Sequence, residues 1–502
     1  MKNQKKLIDS KNIIDRFILE EAVKHANRHQ AYHNFLHLEH ERNEKRYIIA
    51  KPKDVKIPDY WNLDNKYNPF YVIKHHRQIS RSVSKKLFEG KYKPNLPYKK
   101  HIEKKGGGER IVNVYQIPDA AVSNYLYFKL LSKNKHRFSY SAYAYRNDKN
   151  VHYAIQDISL EIKSRSRLFV AEYDFSDFFG SISHDYLFEQ MDRNGFIITH
   201  HERAVLKAFL EPYEKGIPQG TSISLFLANL VCWELDKQLE LEGLRFARYA
   251  DDTIIWSDDY TKICNAYKII SNFSRNSKVY INYKKSNGIS MLSVDATQSE
   301  FKNTKPFVEF LGYQLSPINV SIKEKSTIRI KNNISYILHK NLIQPLKNNL
   351  INANSESLPT KNRDPAFLVA ISQIRRYLYG DLNDDKINKY LSNTYKRLTF
   401  KGLMSYYPLI DNEKQLKKLD GWLVNTILHY LKKRYDILKL AKKQTPIPII
   451  KKDFLNYCNN ASGGLLKIPS FMLIYKAIQK GISSFGIDSI IDPKKNDYNY
   501  ED

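Results

Sequence analysis

Two adjacent acids interrupt an otherwise apolar stretch at residues 244–257, which reads LRFARYADDTIIWS. Short runs rich in Ile, Phe, Tyr and Trp favour β-strands. We therefore predict two short strands joined by a tight turn that carries Asp251 and Asp252. A third acid, Asp174, ends the alternating stretch RLFVAEYDF at residues 167–175, which predicts another strand. If these strands are neighbours, all three carboxylates lie together at one end of a sheet.

Clustered carboxylates of this kind indicate a metal site. They repel one another unless cations lie between them, and hard oxygen ligands suit Mg²⁺, for which Mn²⁺ can substitute. Two ions about 3.5–4 Å apart can hold the attacking and leaving oxygens of an in-line phosphoryl displacement. The acids therefore favour a two-metal-ion nucleotidyl transferase. Asp-Asp pairs are also common in turns, so an unrelated two-metal nuclease stays open on these residues alone.

The charge of the chain indicates a polyanionic partner. Its 502 residues include 81 Lys and Arg against 53 Asp and Glu, a formal net charge of +28. The 36 tyrosines can stack on bases while lysines neutralise phosphates. Nucleic acid is therefore the expected partner, with ordinary solvated Lys-rich faces as the alternative.

Composition also excludes several classes of protein. An apolar content of 42% is too high for a disordered chain. Three widely separated cysteines exclude a disulfide scaffold and a Cys-rich zinc module, and they suit a reducing compartment. No apolar run approaches the ~18 residues of a membrane span, and the first residues lack the apolar core of a secretory signal. We therefore expect a cytoplasmic protein that does not contact the membrane.

Hydrophobic periodicity predicts a mixed order of helices and strands. Helices are predicted over residues 11–47, 119–131, 183–210, 220–241 and 260–276, and through much of the chain after about residue 325. Strands are predicted over residues 167–175, 244–257, 279–290 and 305–316, and residues 100–118 predict a hairpin that turns at Gly106, Gly107 and Gly108. Residues 50–100, with five prolines, are predicted to be loop-rich. The fold class expected from this order is α+β.

Seven segments occur in the order that bacterial reverse transcriptases show. They are residues 106–118, 138–146 (FSYSAYAYR), 174–184 (DFSDFFGSISH), 216–229 (GIPQGTSISLFLAN), 248–252 (RYADD), 281–286 (INYKKS) and 310–313 (FLGY). Residues 100–320 therefore resemble the reverse transcriptase lineage that includes group II intron, retron and defence-associated enzymes. Two departures stand out: Leu225 replaces a usual proline, and residues 143–147 read YAYRN in place of the usual YGFRP.

The resemblance implies a right-hand polymerase fold, with fingers, an antiparallel palm sheet and a helical thumb. We expect four parts along the chain. They are a helical N-terminal extension (1–84), fingers and palm (85–320), a helical thumb (321–400) and a helical C-terminal region with a polar tail that contains tyrosines (401–502).

The resemblance also implies roles for individual residues. The catalytic residues would be Asp174, Asp251 and Asp252, and the same three with Phe175 would form the metal site for two Mg²⁺ ions. The nucleotide-binding residues would be Arg110, Lys104, Lys105, Phe179, Gln219, Gly220 and Lys285. Phe179 matches the position whose ring excludes a 2′-hydroxyl, and Lys285 matches a lysine proposed to protonate pyrophosphate. The primer grip would be Phe310, Leu311, Gly312 and Tyr313.

Within the lineage, the chain is most similar to the unknown-group and abortive-infection enzymes of antiphage defence, and among these to the defence-associated type 9 enzymes. This similarity implies DNA synthesis from dNTPs with an associated noncoding RNA or without any template, and it implies a homo-oligomer. The RNA partner would be a template, an associated noncoding RNA or both. Some such enzymes prime from a protein hydroxyl. Tyr498 and Tyr500 lie in the polar tail DPKKNDYNYED and are candidate nucleophiles, although an ordinary exposed tail has the same sequence.

Two alternatives remain open on the sequence. The first is a retron- or intron-type enzyme that copies a defined RNA for a mobile element. The second is a noncatalytic RNA-binding scaffold that retains the same fold. The template, the product, the primer, the oligomeric state, the phage trigger and the defence subtype depend on partners outside this chain.

Overall fold

The computed structural model describes residues 2–44, 51–103, 107–163, 165, 167–293, 301–347, 359, 364–440, 445–460 and 465–490, with side chains from residue 12 onward. These residues form two compact units. Among the described residues, the first comprises the chain up to Phe35 and Asp54–Pro306, and the second comprises Leu36–Lys53 and the chain from Phe307 to Ile490. The fourfold division expected from the sequence stays a prediction. Among the described residues, no helix is both long enough and apolar enough to cross a membrane.

The first unit combines helices with a hairpin and a five-stranded sheet. Its helices are α1 (Lys2–Glu44, which continues into the second unit), α2 (Pro69–Phe88), α3 (Ile117–Asn134), α4 (Val151–Lys163), α5 (Phe178–Ser181), α6 (His184–Arg193), α7 (His200–Leu210), α8 (Ser222–Val231), α9 (Trp233–Leu241) and α10 (Tyr260–Ser277). Its strands are β1 (Tyr98–Glu103), β2 (Glu109–Val114), β3 (Arg167–Tyr173), β4 (Arg245–Tyr249), β5 (Asp252–Ser257), β6 (Gly288–Ser293) and β7 (Thr304–Lys305).

The five-stranded sheet has the order β4-β5-β3-β6-β7. All its pairs are antiparallel except β6 with β7. Helix α10 packs on β3 and β5, while α3 and α6 pack on α8. One large apolar core joins these layers, and it contains Ile255 of the sheet, Ile270 of α10 and Phe226 of α8. The sheet is thus a rigid base whose strand ends can hold functional groups.

The N-terminal part of the chain packs into the first unit through a smaller core. Ile14 and Ile18 of α1 are buried against Val72 of α2 and Ile117 of α3. The prediction of loops over residues 50–100 was wrong for α2. Its first residue is Pro69, where the fixed φ of proline favours a helix start and the missing N–H costs no hydrogen bond.

Two other predictions needed correction. The helix predicted over residues 183–210 is broken between α6 and α7, where Gly195 has a φ of +65° and Thr199 caps the next helix. The strand predicted over residues 279–290 begins only at Gly288. Before it, Lys278 has a φ of +63°, and the chain turns over residues 282–286. The predicted β1–β2 hairpin is confirmed, with Tyr98 opposite Val114.

The second unit is mainly helical. An antiparallel sheet of order β10-β9-β8 is built from β8 (Val308–Phe310), β9 (Tyr313–Leu315) and β10 (Val320–Ile322). The helices are α11 (Glu324–Leu338), α12 (Gln344–Lys347), α13 (Pro365–Tyr379), α14 (Asp384–Leu391), α15 (Glu413–Leu440), α16 (Lys451–Asn460) and α17 (Phe471–Phe485). The predicted helical character after residue 325 and the α+β class are therefore confirmed.

Candidate active site

The turn between β4 and β5 places Asp251 at the end of the sheet. Tyr249 pairs with Asp252, so Ala250 and Asp251 alone form the loop. Ala250 has a φ of +60°, the left-handed conformation that two-residue hairpin loops favour. A side chain in this conformation is strained by about 1–2 kcal/mol, so surrounding contacts must maintain the turn.

Asp174 reaches the same end of the sheet from the neighbouring strand. Tyr173, the last residue of β3, pairs with Thr253 of β5, so Asp174 follows at the level of the β4–β5 turn. Its carboxylate accepts a hydrogen bond from Asn282 Nδ2 at 3.0 Å and lies 3.3 Å from Lys285 Nζ. The backbone N–H of Asn282 also donates to the backbone carbonyl of Asp174 at 2.8 Å. The segment after α10 therefore holds Asp174 at both its backbone and its side chain.

Burial and the neighbouring charges both act on the pKa of Asp251. Burial raises the pKa of Asp251 above its ordinary value, and the nearby Asp174 carboxylate raises it further. The charges of Arg110 and Lys285 act in the opposite direction. Two carboxylates that destabilise each other's charge are the donor set that a hard divalent cation relieves. Asp174 and Asp251 thus fit a Mg²⁺ site.

The other two predicted metal ligands are Asp252, which is exposed, and Phe175, whose side chain is buried. Among the described residues, no three His, Cys, Asp or Glu side chains are grouped so that they could hold a metal ion by themselves. Asp252 is the exposed first residue of β5. The side chain of Phe175 is buried in the core against Phe178 and Phe273, which leaves only its backbone carbonyl available to a metal.

Two of the basic residues predicted to hold the triphosphate act on the acids. Arg110 is exposed on β2, opposite Ile102, and its charge acts on Asp251. Lys285 is exposed and paired with Asp174. Lys104 and Lys105 lie outside the described residues. The structure therefore brings Arg110 and Lys285 to the two acids.

The loop that contains Gln219 and Gly220 lies against β2. The Asn113 amide donates to the Gln219 carbonyl at 2.8 Å. Gly220 has a φ of +105°, and a Cβ there would lie 2.6 Å from the Asn113 carbonyl oxygen. Only glycine permits this approach. Within the described part of the chain, Gln219 Oε1 and Asn113 Oδ1 are buried without a hydrogen-bond partner.

Phe179 is a buried residue of the short helix α5. Its ring lies edge-on to that of Tyr145, with centroids 6.3 Å apart. Its carbonyl accepts a hydrogen bond from the Ile217 amide at 2.7 Å. Gly216 has a φ of +80°, and a Cβ there would lie 2.7 Å from the Gly180 carbonyl oxygen. The Phe179 segment and the Gln219 loop are thus locked together.

Comparison with known proteins identifies the segment that carries these residues. Residues 102–315 match the family model described as Reverse transcriptase (RNA-dependent DNA polymerase). The match covers less than half of the chain, and in this segment the chain is similar to reverse transcriptases. The antiparallel sheet with acids at its end and the β1–β2 hairpin agree with the right-hand polymerase fold expected from the sequence.

Two curated proteins similar to part of this chain come from Escherichia coli. Protein YkfC of strain K12 is 24% identical over 165 residues, which are 30% of this chain and 43% of that protein. The Retron Ec86 reverse transcriptase is 28% identical over 123 residues, which are 23% of this chain and 37% of that enzyme. The chain spans less than half the length of these curated relatives.

Telomerases are among the solved structures that align with this chain. Telomerase from Candida albicans, in complex with a fragment of telomeric RNA, aligns over 79% of this chain and 67% of its own, with 10% identity and a TM-score of 0.37. Apo telomerase from Candida tropicalis aligns over 83% of this chain and 74% of its own, with 12% identity and a TM-score of 0.36.

The last part of the matched segment lies in the second unit and contains the predicted primer grip. Leu311 and Gly312, with φ values of +49° and +84°, form the turn between β8 and β9. Phe310 and Tyr313 are buried on either side, and the Tyr313 hydroxyl donates to the Tyr406 carbonyl at 3.0 Å. The primer-grip role stays a prediction. Tyr498 and Tyr500 lie outside the described residues.

Sequence reasoning missed several residues that support the acids. Asn282 and Ser286 lie within INYKKS, and the Ser286 hydroxyl accepts a hydrogen bond from the Asp174 amide at 3.1 Å. Asp236 of α9 forms a fully buried ion pair with Arg248. One signal for this pair was present: an arginine inside an apolar strand needs a buried acid as partner.

Proposed function

We propose that this chain is an RNA-directed DNA polymerase of bacterial antiphage defence. Within a reverse transcriptase domain, it would synthesise DNA from dNTPs by two-metal-ion nucleotidyl transfer. The observation that carries the proposal is the convergence of the Asp174 and Asp251 carboxylates with the charges of Arg110 and Lys285 at one end of the sheet. Acids beside cations suit a reaction in which a magnesium-bound triphosphate is attacked.

In this proposal, Asp174 and Asp251 would hold Mg²⁺, with Asp252 and the Phe175 carbonyl in support. Bound Mg²⁺ would favour ionisation of the attacking hydroxyl and neutralise charge on the departing pyrophosphate. The guanidinium of Arg110 offers fixed, forked donors for phosphate oxygens. Lys285, which neutralises Asp174 when no substrate is bound, would release it and give its proton to pyrophosphate.

The remaining residues would select the substrate. The buried ring of Phe179 would close the space for a ribose 2′-hydroxyl, which favours dNTPs over NTPs. Gln219 and Gly220 would lie beside the nascent base pair, since glycine allows a close backbone approach. The turn at Leu311 and Gly312 would position the primer end.

The partners proposed are RNA, as template or associated noncoding RNA, dNTPs, the DNA product and further copies of the same chain. Support for RNA comes from the net charge of +28 and from the retron enzyme among the relatives. We also propose that the protein acts in the bacterial cytoplasm. Its buried, unpaired cysteines Cys232 and Cys458 fit a reducing compartment.

The decisive experiment measures DNA synthesis by the purified protein with the RNA that it carries, after addition of Mg²⁺ and one labelled dNTP at a time. Asp251→Asn should reduce incorporation about 10³-fold or more, because the variant loses a carboxylate proposed to bind the metal. Asp258→Asn is the matched control, because Asp258 lies at the opposite end of β5 and is exposed. Undiminished synthesis by Asp251→Asn would contradict the proposal.

The same variants test the antiphage role in cells. Expression of the wild-type chain should reduce phage plating, and Asp251→Asn should remove that protection while Asp258→Asn retains it. Protection that survives Asp251→Asn would instead favour the noncatalytic RNA-binding scaffold.

The retron relative favours one second candidate, a retron- or intron-type enzyme that copies a defined RNA. Incorporation only after an external RNA template and a DNA primer are supplied would select it. Label that migrates with the protein and shifts only after protease would instead select protein priming. Tyr498→Phe and Tyr500→Phe would then identify the nucleophile.

A further inference from the structure

Behind the catalytic turn lies an arginine that no solvent reaches. Arg248, in β4, and Asp236, in α9, are each 1% exposed. Arg248 Nε donates to Asp236 Oδ1 at 2.7 Å, and Nη2 donates to Oδ2 at 2.6 Å. This two-pronged pairing satisfies both carboxylate oxygens and fixes the plane of the guanidinium.

The remaining nitrogen of the guanidinium bonds to the catalytic turn. Arg248 Nη1 donates to the Ala250 carbonyl at 3.2 Å and to Asn229 Oδ1 at 3.3 Å. Ala250 is the residue in the strained left-handed conformation, and it immediately precedes Asp251. The arginine therefore holds the carbonyl of the peptide that joins Ala250 to Asp251.

The same residues join three other parts of the first unit. The Arg248 amide donates to the Ser141 carbonyl at 2.9 Å, and the Tyr143 amide donates to the Arg248 carbonyl at 2.9 Å. Asn229, in α8, donates through Nδ2 to the Ala144 carbonyl at 2.9 Å. The catalytic turn is thus tied to α8, to α9 and to the segment around residues 141–144.

Stability alone is a poor reason for this arrangement. Removing two charges from water costs several kcal/mol per ion, and apolar residues of similar volume are often equally stable or more stable. A hydrophobic pair would fill the space but could not bond to the Ala250 carbonyl. The property that only the ion pair supplies is a fixed donor aimed at the turn.

We propose that Arg248, oriented by Asp236 and Asn229, is the positioning residue of the catalytic turn. Its hydrogen bond to the Ala250 carbonyl holds the left-handed turn that presents Asp251 to Asp174. Arg248 itself touches neither metal nor substrate. The inference rests on the proposed function for its effect on DNA synthesis, but its effect on cation binding is independent of that function.

The test replaces the pair by apolar residues in the double variant Asp236→Leu with Arg248→Met. The protein is freed of RNA with nuclease, and Mn²⁺ binding is followed by the loss of the EPR signal of free Mn²⁺. The Asp251→Asn variant shows which part of the binding belongs to the proposed site.

We expect the double variant to have a thermal midpoint within a few degrees of wild type. The Mn²⁺ Kd should rise about tenfold or more, as for groups that orient metal ligands. In DNA synthesis, kcat should fall with little change in the KM for dNTPs.

The matched control is Asp364→Leu with Arg434→Met in the second unit. That ion pair is equally buried, and Arg434 also bonds to a backbone carbonyl, that of Leu342. Its replacement should leave Mn²⁺ binding at the wild-type value. Equal weakening in the control and the test variant would overturn the proposal, because any loss of a buried pair would then suffice.

Two further outcomes decide the matter. A folded test variant that binds Mn²⁺ like wild type overturns the proposal even if the wild type synthesises DNA. Weakened Mn²⁺ binding in the test variant supports the proposal even if the wild type makes no DNA, and then only the proposed function fails.

If the double variant does not fold, Arg248→Lys replaces it. A lysine keeps the charge but lacks the fork that reaches Asp236 and Ala250 together, so wild-type Mn²⁺ affinity in Arg248→Lys would also overturn the proposal.

Discussion

Single atoms decide which residues the site can contain. At Gly220, one added carbon would lie 2.6 Å from the Asn113 carbonyl, and the φ of +105° is itself unfavourable for any other residue. At Gly90, φ is +69°, but a Cβ would meet nothing within 4 Å. A comparison of the two glycines therefore separates the cost of backbone strain from the cost of blocking the close approach of β2 to the loop that contains Gln219 and Gly220.

Gly220→Ala should destabilise the protein and weaken dNTP binding, because strand and loop can no longer touch. We expect a loss of about 1–3 kcal/mol in the free energy of unfolding and a higher KM for dNTPs. Gly90→Ala should cost about 1 kcal/mol and leave the KM unchanged. Urea unfolding and steady-state kinetics measure both effects. A normal KM in Gly220→Ala would contradict the role of this contact.

Phe179→Val should allow ribonucleotides into the site, because a smaller side chain leaves room for a 2′-hydroxyl. We expect the ratio of NTP to dNTP incorporation to rise about tenfold or more. Phe178→Val is the control, since Phe178 is equally buried beside Phe179 and should lose stability alone. Competition assays with paired dNTP and NTP measure the ratio. An equal rise in both variants would argue against a specific gate.

At the scale of elements, the start of α7 combines a capping box with an ion pair whose carboxylate is buried. Thr199 and Glu202 exchange hydrogen bonds across the first turn, and Lys133 of α3 lies 2.6 Å from the Glu202 carboxylate. Burial alone would raise the pKa of Glu202, but the hydrogen bonds from Lys133, Thr199 and Lys129 outweigh it and lower the pKa to about 2. The ionised carboxylate therefore stabilises the contact between α3 and α7.

Glu202→Gln should lower the free energy of unfolding by about 1–2 kcal/mol at neutral pH. A lowered pKa in the folded state gives stability that is complete above the ordinary value near 4.5 and is lost as pH falls toward about 2. The difference between wild type and variant should therefore shrink over that range.

Urea titrations at several pH values measure the difference. The exposed i,i+4 pair of Glu189 with Arg193 provides the comparison, and Glu189→Gln should cost under about 0.5 kcal/mol. A pH-independent difference for Glu202→Gln would show that packing, rather than charge, accounts for its effect.

At the scale of the whole molecule, the excess of positive charge should dominate RNA affinity. Each phosphate neutralised by Lys or Arg releases a counterion, so affinity falls with salt in proportion to the number of contacts. We expect RNA binding to weaken roughly tenfold or more between about 50 and 200 mM salt. Fluorescence anisotropy with a labelled RNA and a scrambled RNA measures this slope. A slope near zero would contradict a charge-driven partner.

Much of the fold could be predicted from sequence, because hydrophobic periodicity is local. The hairpin around Asp251, the strand before Asp174 and the helical chain after residue 325 all follow from spacing over a few residues. The errors arose where one residue overrides the pattern. Pro69 starts a helix within a stretch rich in proline, and Gly195 ends one within a continuous helical pattern.

The sequence by itself therefore determined the motifs that resemble those of reverse transcriptases, their order, and the strands that lead to Asp174 and Asp251. Only the tertiary structure decided what surrounds them. Three contacts join residues that belong to different elements of the chain. They are the pairing of Tyr173 with Thr253, the hydrogen bond between Asn113 and Gln219, and the buried ion pair of Arg248 with Asp236. Such contacts arise when long-range packing removes polar groups from water and obliges them to find partners, which no local periodicity encodes.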